Sequence, residues 1–197
     1  MIIWINGSYG SGKTQTAYEL QRRLDNSYVY DPENIGYFLD KNLPTEFSKI
    51  KQGNFQNYEL WRNFNYEIIS YIASNYDGIL IIPMTIINKQ YYDQIIGNLE
   101  KKFDVKHFIL SIDKETNLKR LAKRFDNKNP WFIEQIELSE KAFQNDIPGI
   151  KLKTDNLSIT EVVELIAKKT NLELIEDKRT NFQKKLDRIK TQIKHIR

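Results

Sequence analysis

The chain contains no cysteine, which removes a disulfide scaffold, thiolate zinc sites, thiol catalysis and iron–sulfur chemistry together. Histidine is almost as scarce: His107 and His195 are the only two, too few for a histidine-built metal centre. No window approaches the roughly 18 consecutive apolar residues of a membrane-spanning helix. The opening MIIWING has no basic n-region and too short an apolar run for a secretory signal, so a cytoplasmic protein is expected. No internal repeat and no Gly/Ser- or Pro-rich linker interrupts the chain. What is there is ordinary for a globular protein. The 197 residues, 40% hydrophobic and 28% charged, suffice for one domain with its own core and a small appendage.

Basic charge is missing from the body of the chain. The net charge is +4, yet residues 178–197 alone hold eight Lys and Arg against one acid, Asp187, leaving 22 basic against 25 acidic residues in 1–177. A nucleic-acid-binding body carries a basic face of its own, so nucleic acid is not an expected partner. The core pattern stops near residue 170. The expected organisation is therefore a domain over 1–170 and a basic C-terminal helix over 171–197.

Short apolar runs alternate with helical patterns along 1–170. Strands are expected at Ile2–Ile5, Tyr28–Asp31, Ile79–Ile82, 105–111 and Ile150–Leu152. Helices are expected at 14–25, 55–72, 88–100, 114–125, 131–143 and 158–168, the last opened by a capping box of Ser158 and Glu161. Five strands separated by helices imply an α/β fold, a parallel sheet covered on both faces in three layers.

Gly7-Ser8-Tyr9-Gly10-Ser11-Gly12-Lys13-Thr14 fits G-x-x-x-x-G-K-[ST], between an apolar strand and a helix as that phosphate-binding loop requires. The glycines let successive N–H groups turn inward around phosphate oxygens at a helix N-terminus. Lys13 then reaches the β- and γ-phosphates of ATP, and the Thr14 hydroxyl ligates Mg²⁺. Gln15, next in line, completes the nucleotide-binding set.

The third strand ends Ile82-Pro83-Met84-Thr85, without the acid of a motor or switch ATPase. The acid that can approach the phosphates instead is Asp31, at the carboxyl end of the second strand, where ligands gather in open α/β sheets. It can take the proton of an attacking hydroxyl or hold Mg²⁺ through water; the alternative is a helix cap before Pro32. Arg120 and Arg124 share one helix face, ahead of the breaker-rich Asn127-Lys128-Asn129-Pro130. Over a nucleotide they would stabilise the transferring phosphoryl group; otherwise they are a solvated basic face. The stripe Tyr58, Trp61, Phe64, Ile68 and Ile72 suits a core, with Trp61, Arg62 and Asn65 as acceptor-site candidates. His107 is expected in the core or at an edge, His195 on the surface.

In the tail, Phe182, Leu186, Ile189, Ile193 and Ile196 form one apolar stripe on an otherwise basic helix. Such a helix can lie in an anionic membrane surface, or pack its stripe on its own domain or a second subunit. The spacing leaves these alternatives open.

Five segments, MIIWINGxxGSGKTQTA, YVYDPE, LWRxFNY, GILIxPMTI and TDNLSI, closely resemble the bacterial tunicamycin-resistance ATP-binding protein family, from Met1 to the basic tail. YVYDPE and PMTI are far more specific than the phosphate loop. The resemblance implies a P-loop fold of the nucleoside-monophosphate-kinase type, ATP binding, resistance to a nucleoside antibiotic, and loose membrane association through the C-terminal segment. Carried onto this chain, it implies ATP on Gly7 to Thr14, and acceptor-site and lid roles for Asp31, Arg120 and Arg124; Met84 and Thr85 of PMTI join the acceptor candidates. Two functions follow as expectations. One is a kinase acting on a hydroxyl of tunicamycin or a similar nucleoside. The other is an ATP-dependent protein that sequesters the antibiotic at the membrane unmodified.

Overall fold

The strand order β2-β3-β1-β4-β5, parallel throughout, puts the first strand at the centre of the sheet. The computed structural model describes residues 1–44, 46, 54–122 and 130–195. Strand β1 (Ile2–Gly7) reads IIWING and all six residues are buried, as a strand covered on both faces demands. It pairs with β3 (Ile79–Pro83) on one side and with β4 (Val105–Ser111) on the other; β2 (Ser27–Val29) and β5 (Ile150–Lys153) form the edges. Among the described residues the helices are α1 (Lys13–Arg23), α2 (Glu33–Asn42), α3 (Glu59–Asn75), preceded by a single 3-10 turn Phe55–Asn57, α4, α5 (Lys114–Ala122), α6 (Pro130–Asn145), α7 (Ile159–Thr170) and α8 (Asn181–Lys194). Helix α4 consists of Lys89–Tyr92, a π-helical turn Asp93–Gly97 and Asn98–Glu100.

Because side chains alternate across a strand, β1 feeds two cores. Ile2 and Trp4 join Trp61 and Ile69 of α3 and Ile95 and Leu99 of α4 on one face. Ile3 and Ile5 join Leu20 of α1 and Val163 and Ile166 of α7 on the other. The expected three-layer α/β architecture is observed, and the Ser158–Glu161 capping box opens α7.

Three expectations are corrected. Helix α2 has no counterpart in the sequence pattern, because only Gly36 and Leu39 on it are buried and no apolar period is visible. On α3 the buried line is Trp61, Asn65 and Ile69, while Phe64 of the expected stripe is 39% exposed.

The third correction concerns the tail. Helix α8 docks on its own domain, but by its polar side. The chain returns along α1, where Ile175 and Arg23 exchange hydrogen bonds, Ile175 N–H to Arg23 O at 2.8 Å and Arg23 Nε to Ile175 O at 2.6 Å. Arg22 donates to Thr191 Oγ1 at 2.8 Å, Gln15 Nε2 to Arg188 O at 2.9 Å, and Arg188 to Thr160 Oγ1 at 3.4 Å. The apolar stripe faces outward: Phe182 is 69%, Leu186 39%, Ile189 43% and Ile193 65% exposed. Ile196 lies outside the described residues.

Candidate phosphate-binding and acceptor site

The turn between β1 and α1 is a cradle that requires glycine at three positions, Gly7, Gly10 and Gly12. Gly10 and Gly12 have φ of 80° and 97°, in the left-handed region that side chains disfavour. A Cβ on Gly7 would lie 2.6 Å from Ser11 Oγ and 2.9 Å from the Leu110 carbonyl. The Lys13 ammonium is folded back on the Ser8 carbonyl at 3.0 Å and stands 5.8 Å from the Tyr9 ring centre. The Ser11 hydroxyl is buried without a hydrogen-bond partner. An unpartnered hydroxyl, a lysine held by a loop carbonyl and a helix N-terminus fit an anion of several oxygens, the phosphates of a nucleotide. Thr14, the second residue of α1, would offer its hydroxyl to the nucleotide's Mg²⁺. Among the described residues no group of three or more His, Asp or Glu is placed to hold a metal ion.

Neighbouring elements lock the loop in place. Ser8 Oγ accepts from Asn117 Nδ2 at 2.8 Å, tying the loop to α5, and Thr85 Oγ1 donates to the Gly7 carbonyl at 2.8 Å. Asn117 was not a sequence candidate, although it lies three residues before Arg120 on the helix already singled out. Burial, and then Glu33 and Tyr37 of α2, push the Tyr9 phenol up to about 12, so it stays neutral.

Asp31 lies just beyond β2, 8% exposed. Its Oδ1 accepts the Glu33 N–H at 3.0 Å, the capping alternative realised with one oxygen. Its Oδ2 lies 3.9 Å from His195 Nε2 of the tail, so His195 is not the surface residue the sequence suggested. Trp61, Arg62 and Asn65 are enclosed. Trp61 Nε1 donates to the Pro32 carbonyl at 3.1 Å, and Asn65 Oδ1 accepts from Tyr30 OH at 2.7 Å. Arg62 donates to Gln94 Oε1 and the Gln56 carbonyl, and its guanidinium lies over the Tyr91 ring. With Trp61 and Asn65 at 0% and Arg62 at 7% exposure, the three brace α3 against α2 and α4 and hold the loop carrying Asp31. Met84 is likewise buried, its carbonyl taking Trp4 Nε1–H at 3.1 Å. Gln15 is turned to α8.

Arg120 donates to the Thr154 and Asp155 carbonyls at 3.2 and 3.3 Å, which fixes it to the loop after β5 rather than over the phosphate loop. Arg124 lies outside the described residues. Asp155 in turn accepts the Asp113 N–H at 2.5 Å. Two hydrogen bonds from Thr116 and one involving Asp155 hold the Asp113 carboxyl well down, at about 2. A cavity of about 330 Å³ opens beside Ser8 between α6 and the β4–β5 face, floored by Ile109, Ile112 and Phe143 and rimmed by Lys151, Lys153 and Glu140. Since β2 and β5 are opposite edges of the sheet, this cavity and Asp31 flank the phosphate loop from opposite sides.

No family model and no curated protein matches the chain. Solved structures do. The tunicamycin resistance protein of Deinococcus radiodurans is 29% identical, with a TM-score of 0.76 over 89% of this chain and 98% of that one. The resemblance expected from the sequence is borne out. Shikimate kinase from Bacteroides thetaiotaomicron has 17% identity and a TM-score of 0.58, over 87% of this chain and 99% of the other. Thymidylate kinase from Candida albicans has 19% and 0.59, over 89% and 95%. At those identities the likeness shows the fold, and the fold is that of the P-loop kinases. No helix among the described residues is long and apolar enough to cross a membrane.

Proposed function

We propose that this chain is an ATP-dependent phosphotransferase acting on a hydroxyl of tunicamycin or a similar nucleoside. The observation that carries the reading is the position of Asp31, a buried carboxylate at the carboxyl end of β2, on the flank of the phosphate loop away from the β4–β5 cavity. With phosphates on Gly7 to Thr14, a donor nucleotide extends towards β4 and β5, where Arg120 and the loop after β5 meet its base. The acceptor then comes from the Asp31 side. ATP supplies the phosphoryl group. As the acceptor oxygen bonds to the γ-phosphorus and the bond to the bridging oxygen of ADP breaks, Asp31 takes the hydroxyl proton. Lys13, with Thr14 and Mg²⁺, offsets the charge on the transferring group.

The resistance-protein likeness supports an antibiotic acceptor. The test is mass spectrometry of tunicamycin incubated with the full chain, ATP and Mg²⁺. A product heavier by one phosphoryl group, absent with Lys13→Ala and Asp31→Asn, is expected; unmodified antibiotic that is nonetheless bound tightly in the presence of ATP would overturn the kinase reading.

One observation favours a second reading, ATP-dependent sequestration of the antibiotic at the membrane. The outward stripe of α8 is apolar, and Lys185 and Lys190 flank it, as a helix lying in an anionic headgroup layer requires. On that reading, Asp31→Asn still protects cells from the antibiotic.

A further inference from the structure

We propose that His195 is a positioning residue for Asp31, so that the end of the C-terminal helix forms part of the acceptor side of the site. The consequence for turnover rests on the kinase reading above; the contact itself does not.

Asp31 has one oxygen tied and one available. Oδ1 accepts the Glu33 N–H at 3.0 Å, which leaves Oδ2 as the atom able to receive a hydroxyl proton. Oδ2 faces His195 Nε2 at 3.9 Å, with only 10% of the Asp31 side chain and 13% of the His195 side chain exposed. That separation is too long for a hydrogen bond. The imidazole acts as a wall that limits the rotation of the carboxylate and keeps bulk water from it.

The wall is itself held on two sides. His195 Nδ1 lies 2.7 Å from the Thr191 carbonyl oxygen, which can only accept, so Nδ1 carries the proton. On its other edge Nε2 lies 3.1 Å from the Tyr18 hydroxyl, within hydrogen-bond distance, the two rings standing 4.9 Å apart. Thr191 is 4% exposed and receives the Arg22 guanidinium on its hydroxyl. Tyr18 lies on α1 one turn beyond Thr14. His195 is thus fixed between α8 and the helix that starts at the phosphate loop, with its Nε2 edge towards Asp31. Without the imidazole, Oδ2 is free to swing towards solvent and out of line with the acceptor.

The decisive experiment uses the full chain and its two histidines. With only His107 and His195 present, the imidazole Cε1–H spectrum has two resonances, assigned by the one missing in His195→Gln. Asp31→Asn should move the His195 resonance and leave that of His107 in place; an unmoved His195 resonance overturns the contact. Kinetics on tunicamycin and ATP then test the consequence. His195→Ala should lower kcat by on the order of tenfold to a hundredfold, the scale of a misplaced reacting group, with the KM for ATP unchanged. His195→Gln, which restores a polar group at the Nε2 position, should recover most of the loss. Equal kcat for wild type and His195→Ala, or equal losses in both variants, refutes a positioning role. If wild type forms no phosphorylated product, the kinase reading fails, and the imidazole spectrum alone decides whether His195 packs on Asp31.

Discussion

Replacing Arg179 tests how firmly the tail belongs to the fold. Its guanidinium donates from Nε to Asp177 Oδ1 at 2.8 Å, from one terminal nitrogen to Asp187 Oδ2 at 2.9 Å and Glu19 Oε2 at 3.3 Å, and from the other to Glu19 Oε1 at 2.5 Å and Asp177 Oδ2 at 3.0 Å. Glu19, on α1, is 1% exposed. Arg179→Met keeps the bulk and leaves Glu19 buried, with only Arg22 at 3.5 Å. Removing one partner of a buried ion pair costs about 3–5 kcal/mol. The Arg179 side chain is 22% exposed, so the low end, about 3 kcal/mol, applies. In a domain of this size that is a fall of about 6–12 °C in Tm. Thermal unfolding followed by circular dichroism at neutral pH measures it. Arg179→Lys should recover little, because an ammonium cannot span three carboxylates. A Tm within about 2 °C of wild type would refute the argument and make the cluster a surface decoration. The clasp also has a pH signature. The Arg179 fork, and then Lys184, hold the Asp177 carboxyl well below the ordinary aspartate value. A depressed carboxylate contributes fully above the unfolded value near 4 and loses its contribution only as pH falls below it. The difference in Tm between wild type and Arg179→Met should therefore persist at pH 5 and shrink in stronger acid.

Gly7→Ala should abolish nucleotide binding and lower stability by about 1–3 kcal/mol, the scale of a strained backbone position, because its Cβ meets Ser11 and the Leu110 carbonyl; fluorescent-ATP titration and urea unfolding check the two effects. His107 is buried in β4, and desolvation pulls it down to about 4 from an ordinary value near 6.5. The unfolded chain takes up that proton first, so stability falls as pH drops from 7 to 5, by about 2 kcal/mol from this group. In His107→Phe the same urea series should lose that part of the pH dependence; an unchanged slope would show the ring to be solvated.

The sheet was legible because its strands are β-branched runs closed by glycine or proline: Ile2–Ile5 before Gly7, and Ile79–Ile82 between Gly78 and Pro83. The phosphate loop was legible because its spacing is itself the geometry. What escaped is what packs through polar atoms. Helix α2 buries too few apolar residues to show a period, and with it Glu33 and Tyr37 beside Tyr9 were missed. Trp61, Arg62 and Asn65 have the chemistry of ligand contacts, yet their helix turns that chemistry inward, onto Pro32, Gln94 and Tyr30. The tail inverts the usual inference from amphipathicity: the apolar stripe marks the outside, and the docked face is written in Arg, Gln, Thr and His, which a sequence presents as a solvated surface.

That inversion decides how the tail must be probed. Five residues of α1 are committed to the C-terminal segment: Gln15 to the Arg188 carbonyl, Tyr18 to His195, Glu19 to Arg179, Arg22 to Thr191 and Arg23 to the Ile175 carbonyl. The same helix begins at the phosphate loop. Deleting 179–197 would strand the buried Glu19 and loosen α1, so a loss of both vesicle binding and ATP affinity would not tell a membrane contact from a damaged fold. Substitutions on the outward stripe do tell them apart. Phe182 and Ile193 are 69% and 65% exposed, so Phe182→Ser with Ile193→Ser removes apolar area without touching α1. Burying two such side chains in an interface contributes roughly 3–6 kcal/mol, a hundredfold or more in partitioning. Co-sedimentation with vesicles containing anionic lipid should fall by that factor while the Tm and ATP affinity hold. Undiminished sedimentation would refute insertion of the stripe, and a lowered Tm would show that the stripe packs on protein instead.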